Sequence, residues 1–351
     1  MTFYLRRITG LFFCFVIMIN IYGLPPAEAG IISTNQEISI GAKVAEQLEK
    51  KHGLVDDAAL QERITRIGTK LVAVSDRKDL KYSFKVLNSN DVNALAAPGG
   101  FVYIFKGLVD YMPSDEELAG VIGHELGHIV RRHSVKQIEK SLTVSVLFGV
   151  AFGDRGPVLQ NLAQNAIMAG YSRKDEREAD QQGFKHTYLA GYNPYSMLIT
   201  MNKLDDLPDK GTYGLFSSHP EPESRVKLVQ KYMKDAKITP QVITDGKKAE
   251  VVDNTWKLPA FTVSLDGYKP LYRAYFTAGA LYLAAADPGF RSNRFSVTHT
   301  ETGAIIYYKD QKIATLSHQD ATARGQTLSE LTSEFMSKLN EWPAKRQKVA
   351  G

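Results

Sequence analysis

The sequence predicts an α+β fold, mostly helical with a small sheet and followed by a smaller β-rich α/β region, and three observations carry that reading. Apolar residues recur at helical spacing over most of the chain up to residue 236. Two short runs, 82–87 and Phe101–Phe105, have the alternating or aromatic character of strands. After Lys237 the texture changes, and from about Thr255 onward Tyr, Phe, Val and Thr become frequent.

In chain order, the first thirty residues read as a targeting segment. Arg6 and Arg7 precede an apolar run from Leu11 to Ile21, and Ala27-Glu28-Ala29 supplies the small-residue pattern for cleavage after Ala29. The run is about half the roughly 20 apolar residues that a membrane span needs. Cys14, the only cysteine, lies inside it. The remaining chain is therefore expected to lack thiols, and any metal site must be built from histidine and carboxylate. Losing Arg6, Arg7 and Glu28 takes the formal net charge from +5 to +4, and no dense basic block precedes the tail at Lys345 to Lys348. Nucleic acid is not the expected partner.

Ile40, Val44 and Leu48, then Leu60, Ile64, Ile67 and Leu71, place two amphipathic helices in residues 36–74. Pro98-Gly99-Gly100 is a turn leading into Phe101–Phe105, expected to be an exposed edge strand against which an extended substrate pairs. Ser114 followed by Glu117 is a capping box that starts a long helix with Leu118, Val121, Ile122 and Ile129. Residues 142–152 are apolar beyond the needs of a surface helix, which suits burial or peripheral contact with a membrane. Helical patterns follow at 175–189, 194–204 and 221–236. Residues 304–308 and 313–317 form a hairpin, Leu328, Leu331, Phe335 and Leu339 form a last helix, and there is no internal repeat. The hydrophobic content of 44% is ample for a core.

Within the long helix, His124 and His128 are four residues apart, so their imidazoles leave one face at a separation that suits a single metal. Glu125 points to the flank, where a carboxylate can take a proton from an attacking water without being a ligand. A catalytic zinc site usually has a third protein ligand and an open position. The charged run from Ser172 to Asp180 offers one: Glu176 and Asp180 share a face, whereas Glu178 lies about 200° from Glu176. Glu176 is the choice, because Asp180 then sits one turn away and can accept the second ring N–H of a ligand histidine. His133, five residues past His128, is rotated away on a continuous helix and reads as packing or capping. His52, His186, His299 and His318 have no spaced partner.

The stretches His124-Glu125-Leu126-Gly127-His128 through His133, and Ser172-Arg173 through Asp180 with Gly183, resemble the HtpX and CAAX-prenyl-protease type of gluzincin metallopeptidase. Asn93-Ala94-Leu95-Ala96-Ala97-Pro98-Gly99-Gly100 and Ser218-His219-Pro220 followed by Arg225 resemble the same family, and its secreted periplasmic members most. The resemblance covers about residues 35–236. It implies a zincin-like fold, Glu176 as third zinc ligand, and His219 within a regulatory loop. The chain departs from it in lacking several spanning helices, and in ending in a β-rich segment where the assembly-quality-control members have helical repeats.

The resulting expectation is a signal peptide at 1–29, a zinc metallopeptidase domain at 30–240 and a C-terminal mixed α/β region at 241–351. The protein is expected to be a periplasmic endopeptidase with one Zn²⁺ on His124, His128 and Glu176, Glu125 as base and Asp180 behind a ligand. His219 and Arg225 are candidates for holding the oxyanion, and His219 also for closing the open metal position. Its expected partners are polypeptides, with misfolded or unassembled envelope proteins as candidates. The rival is a zinc-dependent chaperone or assembly factor with little proteolysis, for which the C-terminal region would be the docking module.

Overall fold

The computed structural model describes residues 32–147, 165, 170–208, 219 and 222–344. The signal segment, residues 148–152 of the apolar stretch, the loop residues Gly211, Gly214, Ser217, Ser218 and Pro220, and the basic tail lie outside the described residues.

The fold is α+β. Helices α1 (Thr34–His52) and α2 (Ala58–Ala73) form where the apolar stripes require them, with Ile40 and Val44, and Ile64, Ile67 and Leu71, turned into the core. Ser33 and Asp57 cap their N-termini through the backbone N–H groups of Gln36 and Leu60, contacts worth about 1 kcal/mol each. A three-stranded sheet follows, made of β1 (Ser83–Leu87), β2 (Ala94–Ala97) and β3 (Phe101–Phe105) in the order β1-β3-β2.

This order corrects the expectation for Phe101–Phe105. β3 is the central strand, parallel to β1 and antiparallel to β2, with 102–105 buried, and the edges fall to β1 and β2. The four residues of β2 are Ala and Leu without alternation, so they carry little strand signal. The intervening turn needs its glycines: Gly99 has φ +79°, and a Cβ there would lie 2.6 Å from the Cα of Ile38.

A short helix α3 (Lys106–Tyr111) leads to α4 (Asp115–Val130), which begins at the Ser114–Glu117 capping box and is buried at every residue from 117 to 129. Helix α5 (His133–Leu147) starts after a break at Arg132, whose φ is +55°. Helices α6 (Arg173–Leu189), α7 (Ser196–Asp205) and α8 (Pro222–Asp235) complete the helical part. The α4–α6 crossing is close because its seam is glycine: a Cβ on Gly127 would meet the carbonyl oxygen of Ala179 at 2.7 Å. That approach brings the histidine face of α4 against the N-terminal turns of α6.

His186 lies in this seam, fully buried, and apart from an approach to the Gly123 backbone its ring nitrogens have no hydrogen-bond partner among the described residues. Burial, assisted by Lys185, lowers its pKa to about 4. Because the unfolded ring takes its proton near pH 6.5, the stabilisation is complete above that pH and is lost as pH falls toward 4. The range corresponds to about 3 kcal/mol. Denaturation midpoints between pH 7 and pH 4.5 should fall less steeply for His186→Met than for wild type; parallel curves would contradict this.

Beyond residue 240, β4 (Gln241–Thr244), β5 (Ala249–Asp253) and β6 (Trp256–Lys257) form one antiparallel sheet. β7 (Phe295–Thr300), β8 (Gly303–Tyr308) and β9 (Gln311–Ser317) form another, which contains the expected hairpin. Between the sheets runs α9 (Pro270–Ala286), and the short α10 (His318–Thr322) precedes the final helix α11 (Leu328–Glu341). One hydrophobic core crosses residue 240, joining Phe184, Met197, Ile199 and Val229 to Val251, Phe261, Leu281 and Phe335. The C-terminal region also reaches the start of α4, where buried Glu117 accepts from Tyr268 Oη at 2.9 Å and from Lys203 Nζ at 2.6 Å. Among the described residues no helix is long and apolar enough to cross a membrane.

Candidate metal centre

Four buried side chains from three parts of the chain converge where α4 crosses α6. One donor atom from each of His124, His128, Glu176 and His219 can be chosen so that all lie within 4.8 Å of one another. His124 Nε2 is 3.0 Å from His128 Nε2 and 3.1 Å from His219 Nδ1, and His219 Nδ1 is 2.8 Å from Glu176 Oε1. The i, i+4 spacing on α4 places the two histidines, and Ser172, capping α6, fixes the turn that carries Glu176. On α6, Glu176 and Asp180 are buried while the Glu178 side chain is 30% exposed, so Glu176 and not Glu178 faces the cluster.

The second ring nitrogen of each α4 histidine is engaged from behind. His124 Nδ1 lies 3.0 Å from Asp180 Oδ1 and 3.3 Å from Arg225 Nη2, and His128 Nδ1 lies 2.9 Å from His133 Nδ1. An ionised carboxylate can only accept, so Asp180 favours the tautomer with the proton on His124 Nδ1, in which Nε2 is the lone-pair nitrogen facing the cluster. Arg225 donates to Asp180 through Nε and Nη2 at 2.8 and 2.6 Å, and its Nη1 stands 2.9 Å from Glu176 Oε2.

The electrostatics follow from burial opposed by these charges. Burial would raise the Glu176 carboxyl, but His219 and Arg225 outweigh it and hold the group below its ordinary value. Asp180 is held low in the same way, by Arg225 and His124 against burial. Burial, reinforced by the neighbouring imidazoles, keeps His128 well below the usual histidine range. His219 goes the other way: burial lowers it, and the carboxylates of Glu176 and Glu125 more than offset that.

Glu125 is 1% exposed, and among the described residues neither carboxylate oxygen has a hydrogen-bond partner. The nearest titratable group among the described residues is the His219 ring, whose Nε2 lies 3.4 Å from Glu125 Oε1. Such an orphaned buried carboxylate is costly unless a ligand or proton source completes it. Beside it opens an apolar pocket lined by Val121, Met197, Met201 and Leu204. The donor set of imidazoles and one carboxylate, with no thiolate, fits a divalent zinc-type ion.

The sequence reading set His133 aside, and the structure places it behind His128, 1% exposed. On an unbroken helix a residue five further on points about 140° away. The chain instead leaves α4 after Val130 and re-enters a helix at His133, which swings the ring back. Neither Gly nor Pro marks that break, so composition gives no sign of it. Tyr171 was also missed; its ring stacks on His128 with centroids 3.7 Å apart.

Residues 58–233 match the family model of peptidase family M48, and the chain belongs to that family. Residues 250–343 match a domain of unknown function (DUF8459). Among its relatives, the mitochondrial metalloendopeptidase OMA1 of Arabidopsis thaliana is 33% identical over 181 residues, which cover 51% of this chain and 37% of that protein. Metalloprotease YcaL of Escherichia coli K12 is 34% identical over 155 residues, covering 42% and 61% of the two chains. The β-barrel assembly-enhancing protease of the same strain is 27% identical over 213 residues, covering 56% and 43%. Each match spans less than two thirds of the relative.

Proposed function

We propose that the chain is a zinc-dependent endopeptidase of exported polypeptides, with one zinc held by His124, His128 and Glu176 and with Glu125 as general base. The observation that carries this is the buried Glu125 carboxylate, without a hydrogen-bond partner among the described residues, beside four buried potential ligand atoms that lie within 4.8 Å of one another. Bound zinc would polarise the scissile carbonyl and lower the pKa of an attacking water to about 7.

The remaining roles belong to the chain's own groups. Glu125 accepts the proton of the attacking water and passes it to the leaving amine. Asp180 keeps the His124 ring in the tautomer whose Nε2 faces the site, and Arg225, committed to Asp180 and Glu176, holds both carboxylates in place. The pocket of Val121, Met197, Met201 and Leu204 receives an apolar substrate side chain next to the cut bond. Unassembled envelope proteins in the periplasm are the proposed substrates, supported by the targeting pattern of residues 1–29 and by relatives named for β-barrel assembly. The test is cleavage of unfolded casein by the zinc-loaded protein. Activity that a chelator abolishes and zinc restores is expected, and a fully loaded protein that binds casein without cutting it would favour the chaperone reading.

His219 stands where it competes for the open position, with Nδ1 beside Glu176 and His124 and Nε2 beside Glu125. Its proposed role is to hold the enzyme latent until substrate displaces it. His219→Ala should raise basal casein cleavage severalfold with zinc content unchanged. A fall in kcat with KM little altered would assign it to the oxyanion instead.

A further inference from the structure

We infer that His133 is a positioning residue that sets the tautomer of His128: it accepts the Nδ1–H of His128 and so leaves His128 Nε2 bare toward the metal. The inference rests on the reading of His128 as a ligand.

The two Nδ1 atoms are 2.9 Å apart and both rings are buried, so one of the two nitrogens carries the shared proton. Each end of the pair indicates which. At the inner end, His128 Nε2 faces His124 Nε2 at 3.0 Å and Glu176 Oε1 at 3.5 Å, the side on which a ligand nitrogen must be unprotonated. A neutral His128 with bare Nε2 has its proton on Nδ1 and is the donor.

At the outer end, the described residues within 4 Å of His133 Nε2 that carry charge are acceptors, Glu178 Oε2 at 3.4 Å and Asp175 Oδ1 at 3.6 Å. Carboxylates favour a proton on that nitrogen, which leaves His133 Nδ1 as the acceptor. The opposite assignment would aim a lone pair at two carboxylates and cap the ligand nitrogen with hydrogen. Both ends therefore select the same chain of donors: His133 Nε2–H to the carboxylates, and His128 Nδ1–H to His133.

Other groups hold the plane of the His128 ring. Tyr171 stacks on it, and the Tyr171 hydroxyl is fixed by Ser134 Oγ at 2.8 Å. His133 is thus left with the proton rather than the ring plane.

The placement of His133 has a structural cost that the fold offsets with long-range contacts to the N-terminal segment. Its return toward His128 depends on the left-handed turn at Arg132, an uncommon conformation for a non-glycine residue. Arg132 is held there by Glu37 Oε2 at 3.1 Å and by the carbonyl of Ile32 at 2.7 Å. Glu37 is itself 1% exposed and paired with Arg77, so the turn is anchored to α1.

The test has a variant arm and a wild-type arm. Partners behind ligand histidines typically contribute 10–100-fold in metal affinity. In competition with a chelator, His133→Phe, which keeps an aromatic ring but no acceptor, should weaken zinc binding by about 10–100-fold. His133→Asn, whose amide oxygen can accept the same proton, should recover most of that loss. Equal losses in the two variants, or none in either, would overturn the inference. In zinc-loaded wild type, ¹⁵N NMR should show a proton on His128 Nδ1 coupled across the hydrogen bond to His133 Nδ1. A proton on His128 Nε2, or no such coupling, would overturn it without any variant having to fold. Zinc retained by His128→Ala would instead sink the underlying ligand reading, whatever His133 does.

Discussion

Glu125→Gln is expected to lower kcat by about 10²–10⁴-fold, the range contributed by a positioned proton-transfer group, with about one zinc per chain retained. The amide has nearly the size of the carboxylate but cannot take a proton at neutral pH. The substitution thus removes the base and keeps the shape. Both oxygens of Glu125 are buried without hydrogen-bond partners among the described residues, so the neutral amide costs no hydrogen bond and removes only the attraction to His219 Nε2 at 3.4 Å; the variant should fold about as stably as wild type. Casein cleavage, metal content and a thermal melt on one preparation separate the possible causes. Loss of zinc along with activity would show that Glu125 is a ligand instead of a base.

The second large effect is expected from the ligands. His124→Ala, His128→Ala and Glu176→Ala should each take zinc content from about one per chain toward zero and abolish casein cleavage. Glu178→Ala, whose side chain stands outside the cluster, should keep full stoichiometry at saturating zinc. Binding to the folded state alone stabilises it by about 2.7 kcal/mol at a ligand concentration 100 times Kd. Wild type and Glu178→Ala should therefore melt later when zinc is added, and the three ligand variants should not. Zinc binding lost in Glu178→Ala and kept in Glu176→Ala would reverse the choice of face on α6.

That choice of face was legible in the sequence because it needed only the helical step. At 100° per residue, Glu176 and Asp180 must share a side that Glu178 leaves, and the structure buries the first two and leaves the third partly exposed, outside the cluster. The Ser114–Glu117 capping box was legible for a similar reason, being a local hydrogen-bonding pattern with a fixed spacing.

What escaped the sequence reading lacked a periodic or local signal. Helix α9 is buried on nearly every side, from Tyr272 to Ala285, so it has no polar face to reveal a helical period, and its tyrosines mimic a strand. The central place of β3 depends on β2, whose Ala-Leu-Ala-Ala carries no alternation. The position of His133 behind His128 depends on a break at Arg132 that a long-range pair with Glu37 stabilises, and such a pair is invisible to any local pattern.

The most direct test of the central claim is anomalous diffraction at the zinc edge from crystals of the zinc-loaded protein. A single peak bounded by His124 Nε2, His128 Nε2 and the Glu176 carboxylate is expected, with none between His133 and Glu178. A peak at His133 and Glu178, or none at the crossing of α4 and α6, would contradict it.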